Sequence, residues 1–237
     1  AEVRSEATRL GARVVVFQGN VTESLEVNAA AENGLRELGR IDIAIANAGI
    51  GITAPFQDLT NDDYRKQFNT NIYGVLRTVR AALPAIEESK GQIVIMGSVS
   101  SYVSTGGDSP YAMSKAAVRA LADSLFIELR PKGVGVSLIC PGFVASEIRV
   151  IDNKGKLHQD AKDPIPRWLV MDANIAARKM LDGIERRERE IIITNHGKIA
   201  VWLRRFFPSI LFFALKKIPT RRVSDKTERT AKASASK

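Results

Sequence analysis

Three polar side chains follow a single apolar segment in the middle of the chain. Ser98 comes just after the run Gln92–Met96, and Tyr111 and Lys115 lie 13 and 17 residues further along. In a helix, Tyr111 and Lys115 would be one turn apart on the same face. A lysine ammonium beside a phenol lowers the pKa of the phenol from about 10. Such a phenol can exchange a proton with a carbonyl or alcohol oxygen, and the Ser98 hydroxyl can hold that oxygen.

Alternating strands and helices must position these side chains. Helical patterns lie near residues 23–38, 61–88, 109–130 and 172–187. Between them are short apolar runs rich in Val and Ile, as in strands buried on both faces: Val14–Phe17, Ile41–Ala46, Gln92–Met96, Gly135–Ile139 and Glu190–Thr194. The alternation predicts an α/β fold with a doubly wound parallel sheet and right-handed crossovers. Ligands bind beyond the carboxyl ends of strands in such sheets, so the loops after the strands form the candidate site.

Other motifs follow other strands of the predicted sheet. They are Asn47-Ala48-Gly49, Asn71 within Asn69-Thr70-Asn71-Ile72-Tyr73-Gly74, Pro141-Gly142 and Ser146. Asn47 precedes Asn71 by 24 residues, Asn71 precedes Ser98 by 27, Ser98 precedes Tyr111 by 13, and Lys115 precedes Pro141 by 26. These motifs and intervals resemble those of the short-chain dehydrogenase/reductase family over most of residues 1–196.

The resemblance implies a Rossmann-type catalytic domain over residues 1–196 and an NAD(P)-dependent oxidoreductase. Such an enzyme passes a hydride between a nicotinamide cofactor and a small-molecule carbonyl or secondary alcohol. Tyr111 would be the general acid and base, and Lys115 would lower its pKa and hold the nicotinamide ribose. Ser98 would orient the substrate oxygen, and Asn71 would hold a water that links Lys115 to solvent.

The resemblance also implies a set of cofactor contacts and an assembly. The implied cofactor-binding residues are Asn20, Val21, Asn47, Ala48, Gly49, Tyr111, Lys115, Pro141, Gly142, Val144 and Ser146. A homo-oligomer is expected, with the helices at 61–88 and 109–130 in its interface. No metal site is expected.

The sequence departs from the family pattern in two places. The family begins with a strand, a Gly-rich turn that cradles the pyrophosphate, and a second strand whose end selects NAD or NADP. No such Gly cluster precedes Asn47, so we expect an N-terminally truncated fold that lacks roughly 40–50 residues and starts in the helix at Ala1–Leu10. NAD and NADP therefore both stay open. Asn20 stands where the family has Asp, which keeps one acceptor but loses the charge.

The charge distribution disfavours a nucleic-acid-binding protein. The net charge is +9, yet residues 1–196 hold 24 basic and 24 acidic residues, and residues 197–237 hold 11 and 2. A neutral body with a basic C-terminal tail fits an anionic surface better than a nucleic-acid groove.

A single cysteine, Cys140, indicates a reduced, cytoplasmic setting, and we expect it to be a buried, unreactive thiol.

The C-terminal part divides into an aromatic, basic segment at 197–218 and a tail at 219–237 that we expect to be disordered. The segment concentrates large apolar residues between cations, and its longest uncharged run, Phe206–Leu215, is too short to span a membrane. We expect it to lie in a membrane interface, at the inner face, which would suit a lipophilic substrate. The alternative is that its aromatics pack on the body, a partner subunit or the substrate cavity.

Two further expectations concern the substrate side and the choice of function. The stretch Arg149–Val170 falls where the family has a variable lid; His158 within it is expected to be exposed, and His196 to be structural. The missing Gly-rich turn leaves a second hypothesis open, a non-catalytic relative that serves as a binding or membrane-associated scaffold. The complete set of Asn71, Ser98, Tyr111 and Lys115 favours the enzyme.

Overall fold

A four-stranded parallel sheet forms the centre of the protein. The computed structural model describes residues 2–146 and 165–217. The strands are Ile43–Ala46 (β1), Gln92–Met96 (β2), Gly135–Cys140 (β3) and Glu190–Ile192 (β4). They lie side by side in chain order, and each pairs in parallel with the next. The parallel sheet predicted from the strand–helix alternation is confirmed.

Eight α-helices and one π-helical turn flank or precede these strands within the described ranges. The helices are Glu2–Arg9 (α1), Ser24–Leu38 (α2), Asn61–Phe68 (α3), Gly74–Ser89 (α4), Ser109–Leu129 (α5), Ala173–Glu185 (α6), Asn195–Phe206 (α7) and Pro208–Leu215 (α8). The π-helical turn Asn69–Tyr73 joins α3 to α4, so the helix predicted at 61–88 is one helical rod with a widened turn. Each of the four predicted helices is therefore present.

The sheet carries helices on both faces. On one face α4 and α5 pack against Ile93 and Ile95 of β2. On the other face α6 packs against Val94 of β2 and Ile139 of β3. Strands that bury side chains on both faces read as continuous apolar runs, which is why β2 and β3 were recognisable from the sequence. The doubly wound, Rossmann-type arrangement is thereby confirmed for the described residues.

One predicted strand is wrong and two are shorter than predicted, and the strand predicted at Ile41–Ala46 begins at Ile43. Val14–Phe17 has no regular secondary structure, and Val16 is 64% exposed. A strand exists only through hydrogen bonds to a neighbour, and none of the described strands pairs with this segment. The strand predicted at Glu190–Thr194 ends at Ile192, because Thr194 is the residue that precedes the first turn of α7.

Several expectations fall on residues outside the described ranges. His158, most of the predicted lid and the tail at 219–237 belong to this group, and so does Ile218 at the end of the aromatic segment. Of the lid, the structure describes residues 165–170, which include a short 3-10 turn at Arg167–Leu169.

Candidate active site

The loop after β2 holds Ser98 in a short capped turn. Ser98 is 8% exposed and precedes the 3-10 turn Val99–Ser101. Its Oγ accepts a hydrogen bond from the backbone N–H of Ser100 at 3.1 Å, and its own N–H donates to Oγ of Ser101 at 3.3 Å. A hydroxyl also has a proton to donate and a second lone pair. The turn therefore fixes the Ser98 side chain and leaves it the capacity to bond a substrate oxygen.

Tyr111 and Lys115 lie one turn apart on α5, and Lys115 is buried at the carboxyl end of the sheet. The Lys115 side chain runs toward the end of β2, where Nζ donates to the carbonyl oxygen of Met96 at 2.7 Å. Nζ also lies 5.7 Å from the centroid of the Tyr111 ring. Lys115 is 6% exposed, and its burial lowers its pKa to about 8, with a small opposing effect from Cys140. The ammonium–phenol pair predicted from the spacing is thus present.

Asn71 connects the long helix to both α5 and the loop after β1. It is fully buried in the π-helical turn, a geometry that is often found at functional sites. Its Oδ1 accepts from the backbone N–H of Ile50 at 2.9 Å, and its Nδ2 donates to the Ile50 carbonyl at 3.0 Å and to Oγ of Ser114 at 3.1 Å. Ser114 in turn donates to the carbonyl of Tyr111 at 2.7 Å. Asn71 and Ser114 therefore fix the helix turn that carries Tyr111.

Gln67 is a supporting residue that the sequence analysis missed. It lies one turn before Asn71 and is fully buried. Its Oε1 accepts from the backbone N–H of Ile52 at 2.7 Å, and its Nε2 donates to the Ile50 carbonyl at 2.8 Å. Gln67 and Asn71 together hold the loop after β1 against the helix. The available signal was the spacing of four residues between two amides, which places them on one helical face.

The Asn47-Ala48-Gly49 loop leads from β1 into this network. All three residues are exposed. A Cβ at position 49 would lie 3.4 Å from Oδ1 of Asn71 and 3.8 Å from Nζ of Lys115. Glycine therefore keeps the backbone in reach of the polar groups without a side chain between them.

A cavity of about 330 Å³ adjoins the same loop. It runs beside β1, with Val21, Ala44, Asn47 and Ala48 among its lining residues. Asn20, the other predicted contact of this region, is exposed in an Asx turn, its Oδ1 accepting from the N–H of Thr22 at 3.0 Å. The predicted cofactor contacts among residues 20–49 thus border this cavity or are next in the chain to residues that do.

The loop after β3 is hydrogen-bonded to the Ser98 turn. The Pro141 carbonyl accepts from the N–H of Val99 at 2.9 Å. At position 142 a Cβ would lie 2.3 Å from Oγ1 of Thr194 and 2.4 Å from Nε2 of His196, so only glycine fits. Further along, Val144 forms a parallel bridge with Met171, and Ser146 is exposed at the end of the described stretch.

His196 supports the same loop from the start of α7. Its Nε2 accepts from the N–H of Phe143 at 3.1 Å, and the two rings stack with centroids 5.2 Å apart. Burial lowers the pKa of His196, which favours the neutral ring that this acceptor role needs. The contacts agree with the structural role expected for His196.

Cys140 is buried, as expected. Burial raises the pKa of its thiol to about 12. Tyr102 also approaches this region: its hydroxyl donates to Glu190, and burial together with this bond raises its pKa. Arg119 lies over the Tyr102 ring at 5.0 Å. A protonated, buried thiol is a poor nucleophile, so Cys140 adds no reactive group to the site.

Comparison with known proteins gives a family and a set of relatives. The profile of the short chain dehydrogenase family matches residues 1–156. An 11-beta-hydroxysteroid dehydrogenase A from Sesamum indicum is 30% identical over 224 residues, which cover 89% of this chain and 62% of that protein. The oxidoreductase UcpA of Escherichia coli K12 is 32% identical over 177 residues, 74% of this chain and 66% of UcpA. The chain thus spans just under two thirds of the length of these two relatives.

Solved structures give the same fold. A short chain dehydrogenase/reductase from Burkholderia phymatum, in complex with NAD, superposes with a TM-score of 0.76 at 24% identity, covering 93% of this chain and 83% of that one. A gluconate 5-dehydrogenase from Burkholderia cenocepacia, in complex with NADP and tartrate, gives a TM-score of 0.52 at 29% identity, covering 54% and 51%.

Proposed function

The chain belongs to the short-chain dehydrogenase family, and on that premise we propose that it is an NAD(P)-dependent oxidoreductase acting on a carbonyl or secondary alcohol. One observation carries this proposal: the Lys115 ammonium is buried at the carboxyl end of β2, tied to the Met96 carbonyl and 5.7 Å from the centre of the Tyr111 ring. A buried cation near a phenol favours the phenolate. Tyr111 is thereby suited to exchange a proton with a substrate oxygen near neutral pH.

Two features of the described residues support the binding of part of a nicotinamide dinucleotide. The cavity beside β1 has a volume in the range of small-molecule sites and borders Asn47 and Ala48. Gly49 has no side chain between its backbone and the Lys115 ammonium. That ammonium has three N–H donors, and the Met96 carbonyl accepts a hydrogen bond from one of them. The bound cofactor would supply or accept the hydride. Either NAD or NADP is proposed, and the two related Burkholderia structures hold one of each.

Each of the four proposed catalytic residues has a distinct role. Tyr111 donates the proton to the carbonyl oxygen in reduction and accepts it in oxidation. Lys115 would favour the phenolate of Tyr111 and would offer its remaining N–H groups to the nicotinamide ribose. Ser98 donates its hydroxyl proton to the substrate oxygen. Asn71 holds the α5 turn in place, and its Oδ1 has a second lone pair for the water of a proton relay.

The cofactor contacts are proposed to come from three loops. Asn20 and Val21 precede α2, the Asn47-Ala48-Gly49 loop follows β1, and the third loop follows β3 with Pro141, Gly142, Val144 and Ser146. The third loop is supported by three observations. The Pro141 carbonyl accepts a hydrogen bond from Val99 in the Ser98 turn, and the Phe143 N–H donates to His196. Val144 also forms the bridge to Met171, so three contacts restrain the backbone of this loop.

We also propose a lipophilic substrate and a homo-oligomer. The apolar α7–α8 region begins directly beside the loop after β3, which supports a substrate entrance bordered by apolar side chains. The Sesamum relative is by name a hydroxysteroid dehydrogenase. The homo-oligomer is proposed from the chain's membership of the family alone.

The test is cofactor binding followed by turnover. The 237-residue chain is titrated with NADH and NADPH under cofactor fluorescence, then assayed on a panel of aldehydes and ketones. Tyr111→Phe should lower kcat at least ~100-fold while the cofactor Kd changes only a few-fold. Tyr73→Phe is the matched control, because Tyr73 is 55% exposed, and it should keep full turnover. Tight cofactor binding with no turnover of any panel member by the wild type would favour the scaffold hypothesis.

A further inference from the structure

The two C-terminal helices expose an unusual set of large apolar side chains. In α7 and α8 and the residue between them, only Leu211 among the large apolar residues is below 9% exposed. The seven that are more than 40% exposed are Ile199 59%, Trp202 52%, Phe206 56%, Phe207 45%, Ile210 60%, Phe212 42% and Phe213 66%. Soluble monomers rarely leave so many neighbouring apolar residues in water. Within the described residues, the body of the chain therefore leaves these seven side chains largely uncovered.

Cations are interleaved with these rings. Arg204 lies over the Phe212 ring at 5.2 Å, and Arg205 lies over the Phe206 ring at 5.5 Å. Lys217 lies over the ring of Phe213 at 5.1 Å. The sequence from 191 to 217 contains five Lys and Arg residues and no Asp or Glu. The α7–α8 surface, residues 195–217, thus exposes many apolar side chains, and all of its charged residues are Lys or Arg.

We propose that the α7–α8 surface binds an anionic lipid bilayer, with its aromatic side chains in the headgroup region and its cations on lipid phosphates and carboxylates. A bilayer interface supplies both an apolar boundary for the rings and negative charge for the cations. Aromatic rings with a neighbouring cation are suited to that depth, because one end meets acyl chains and the other meets headgroups.

A second copy of the chain is the main competing occupant, and charge disfavours it. In a two-fold symmetric contact the same patch faces itself. The cations of one copy would then meet those of the other, and the sequence from 191 to 217 offers no carboxylate to pair them. Like charges across an interface cost binding free energy.

The surface would lie on the bilayer and not cross it. Pro208 starts α8, which has eight residues, and a bend at Phe207 separates it from α7. In the described part of the chain, no helix has the length and hydropathy needed to traverse a bilayer. Two short helices that each expose large apolar side chains match a segment that lies in the interface plane.

The position of α7 connects this surface to the site. Gly197 packs so close to the Ser98 turn that a Cβ there would lie 2.6 Å from Cγ2 of Val99. His196 stacks on Phe143 of the loop after β3. Bilayer contact would therefore hold the substrate side of the site near the lipid, an extension that rests on the proposed function.

Vesicle binding tests the proposal without cofactor or substrate. Trp168→Phe leaves Trp202 as the sole tryptophan, and its emission should shift to the blue when phosphatidylcholine vesicles containing phosphatidylserine are added. The matched control, Trp202→Phe, keeps Trp168 and should show little shift. Because the readout needs no turnover, failure of the proposed enzymatic function would leave this result intact.

Two double variants separate the apolar and ionic contributions. Arg204→Gln with Arg205→Gln should weaken vesicle partitioning roughly 30-fold, since each cation near an anionic surface contributes roughly 5-fold. Ile210→Ser with Phe213→Ser should weaken it by at least ~10-fold. Leu25→Ser, at an 84% exposed site on α2, and Arg65→Gln on α3 should leave it unchanged. Circular dichroism checks that each variant is folded.

Three outcomes would overturn the proposal. The first is that wild type stays in the supernatant with anionic vesicles. The second is equal, salt-insensitive binding to pure phosphatidylcholine, which would remove the anionic lipid from the argument. The third is concentration-dependent self-association that Ile210→Ser with Phe213→Ser abolishes, together with no vesicle binding, which would assign the surface to a second copy.

Discussion

Replacing Lys115 with methionine separates what the ammonium contributes to catalysis from what it costs in folding. Methionine has a flexible, unbranched side chain that can follow the path of the lysine stem. The variant removes the charge and the hydrogen bond to the Met96 carbonyl while it keeps most of the packing. We expect turnover to fall at least ~100-fold, because Tyr111 loses the cation that favours its phenolate.

Stability should change in the opposite direction. Burial lowers the pKa of Lys115 from its usual 10.5 to about 8. This difference corresponds to about 3 kcal/mol by which the fold disfavours the charged form at neutral pH. The lost hydrogen bond leaves the Met96 carbonyl without this charged donor and offsets about 2 kcal/mol. Lys115→Met should therefore be about 1 kcal/mol more stable than wild type near pH 7.

The advantage should disappear at alkaline pH. Below about pH 8 the lysine is protonated in both the native and the unfolded chain, so its contribution to stability does not vary. Between about pH 8 and 10.5 the native lysine has lost its proton while the unfolded one retains it. Because the unfolded state then binds more protons, the stability of wild type rises with pH. The methionine variant lacks this dependence.

Chemical denaturation followed by tryptophan fluorescence measures the difference at several pH values. Other groups that titrate in this range cancel when the two free energies of unfolding are subtracted. Lys132→Met is the control, since its side chain is 53% exposed and pairs with Glu87 at the surface. Its difference from wild type should stay below about 1 kcal/mol at every pH. A Lys115→Met protein that is less stable than wild type by the same amount at all pH values would refute the reasoning.

Three supporting residues give further predictions. Gln67→Leu should lower the free energy of unfolding by about 2 kcal/mol in denaturant titrations, because it leaves the buried N–H of Ile52 without its acceptor and removes one of the two amide donors to the Ile50 carbonyl. Gly142→Ala should cost about 1–3 kcal/mol in the same assay and weaken cofactor binding, because the added methyl would overlap Thr194 and His196; unchanged cofactor Kd would contradict this. His196→Phe keeps the ring stack but loses the acceptor for the Phe143 N–H, so cofactor titration should show roughly 5-fold weaker binding.

The fold could be predicted from the sequence wherever both faces of an element are covered. β2, β3 and α5 start and end within a residue or two of the predicted bounds. Their apolar residues occur at the positions that are buried against the neighbouring layer, so the pattern marks where each element begins and ends. Val14–Phe17 has the same composition as those strands and still forms no ladder. The composition of a segment reports its preference for extended backbone, whereas pairing depends on a neighbour elsewhere in the chain.

The proximity of Tyr111 and Lys115 could be predicted from the sequence, but the residues that support them could not. Tyr111 and Lys115 are joined by helical spacing, and the structure places them together. Gln67 and Ser114 were missed because a polar residue on a helix reads as solvent-facing when only the local pattern is known. Their burial follows from α3 and α5 packing against loops that are distant in sequence, so only tertiary contacts reveal it.

The cost of burying Lys115 also bears on whether the chain is an enzyme or a scaffold. A binding scaffold needs a stable fold, and we expect methionine at position 115 to give a more stable one. The ammonium is nevertheless buried, tied to a backbone carbonyl and placed near a phenol at the end of a strand. A group that destabilises the fold has a physical rationale where it perturbs the pKa of a neighbour for catalysis. The unfavourable burial of Lys115 therefore favours the oxidoreductase over the scaffold, independently of any resemblance in sequence.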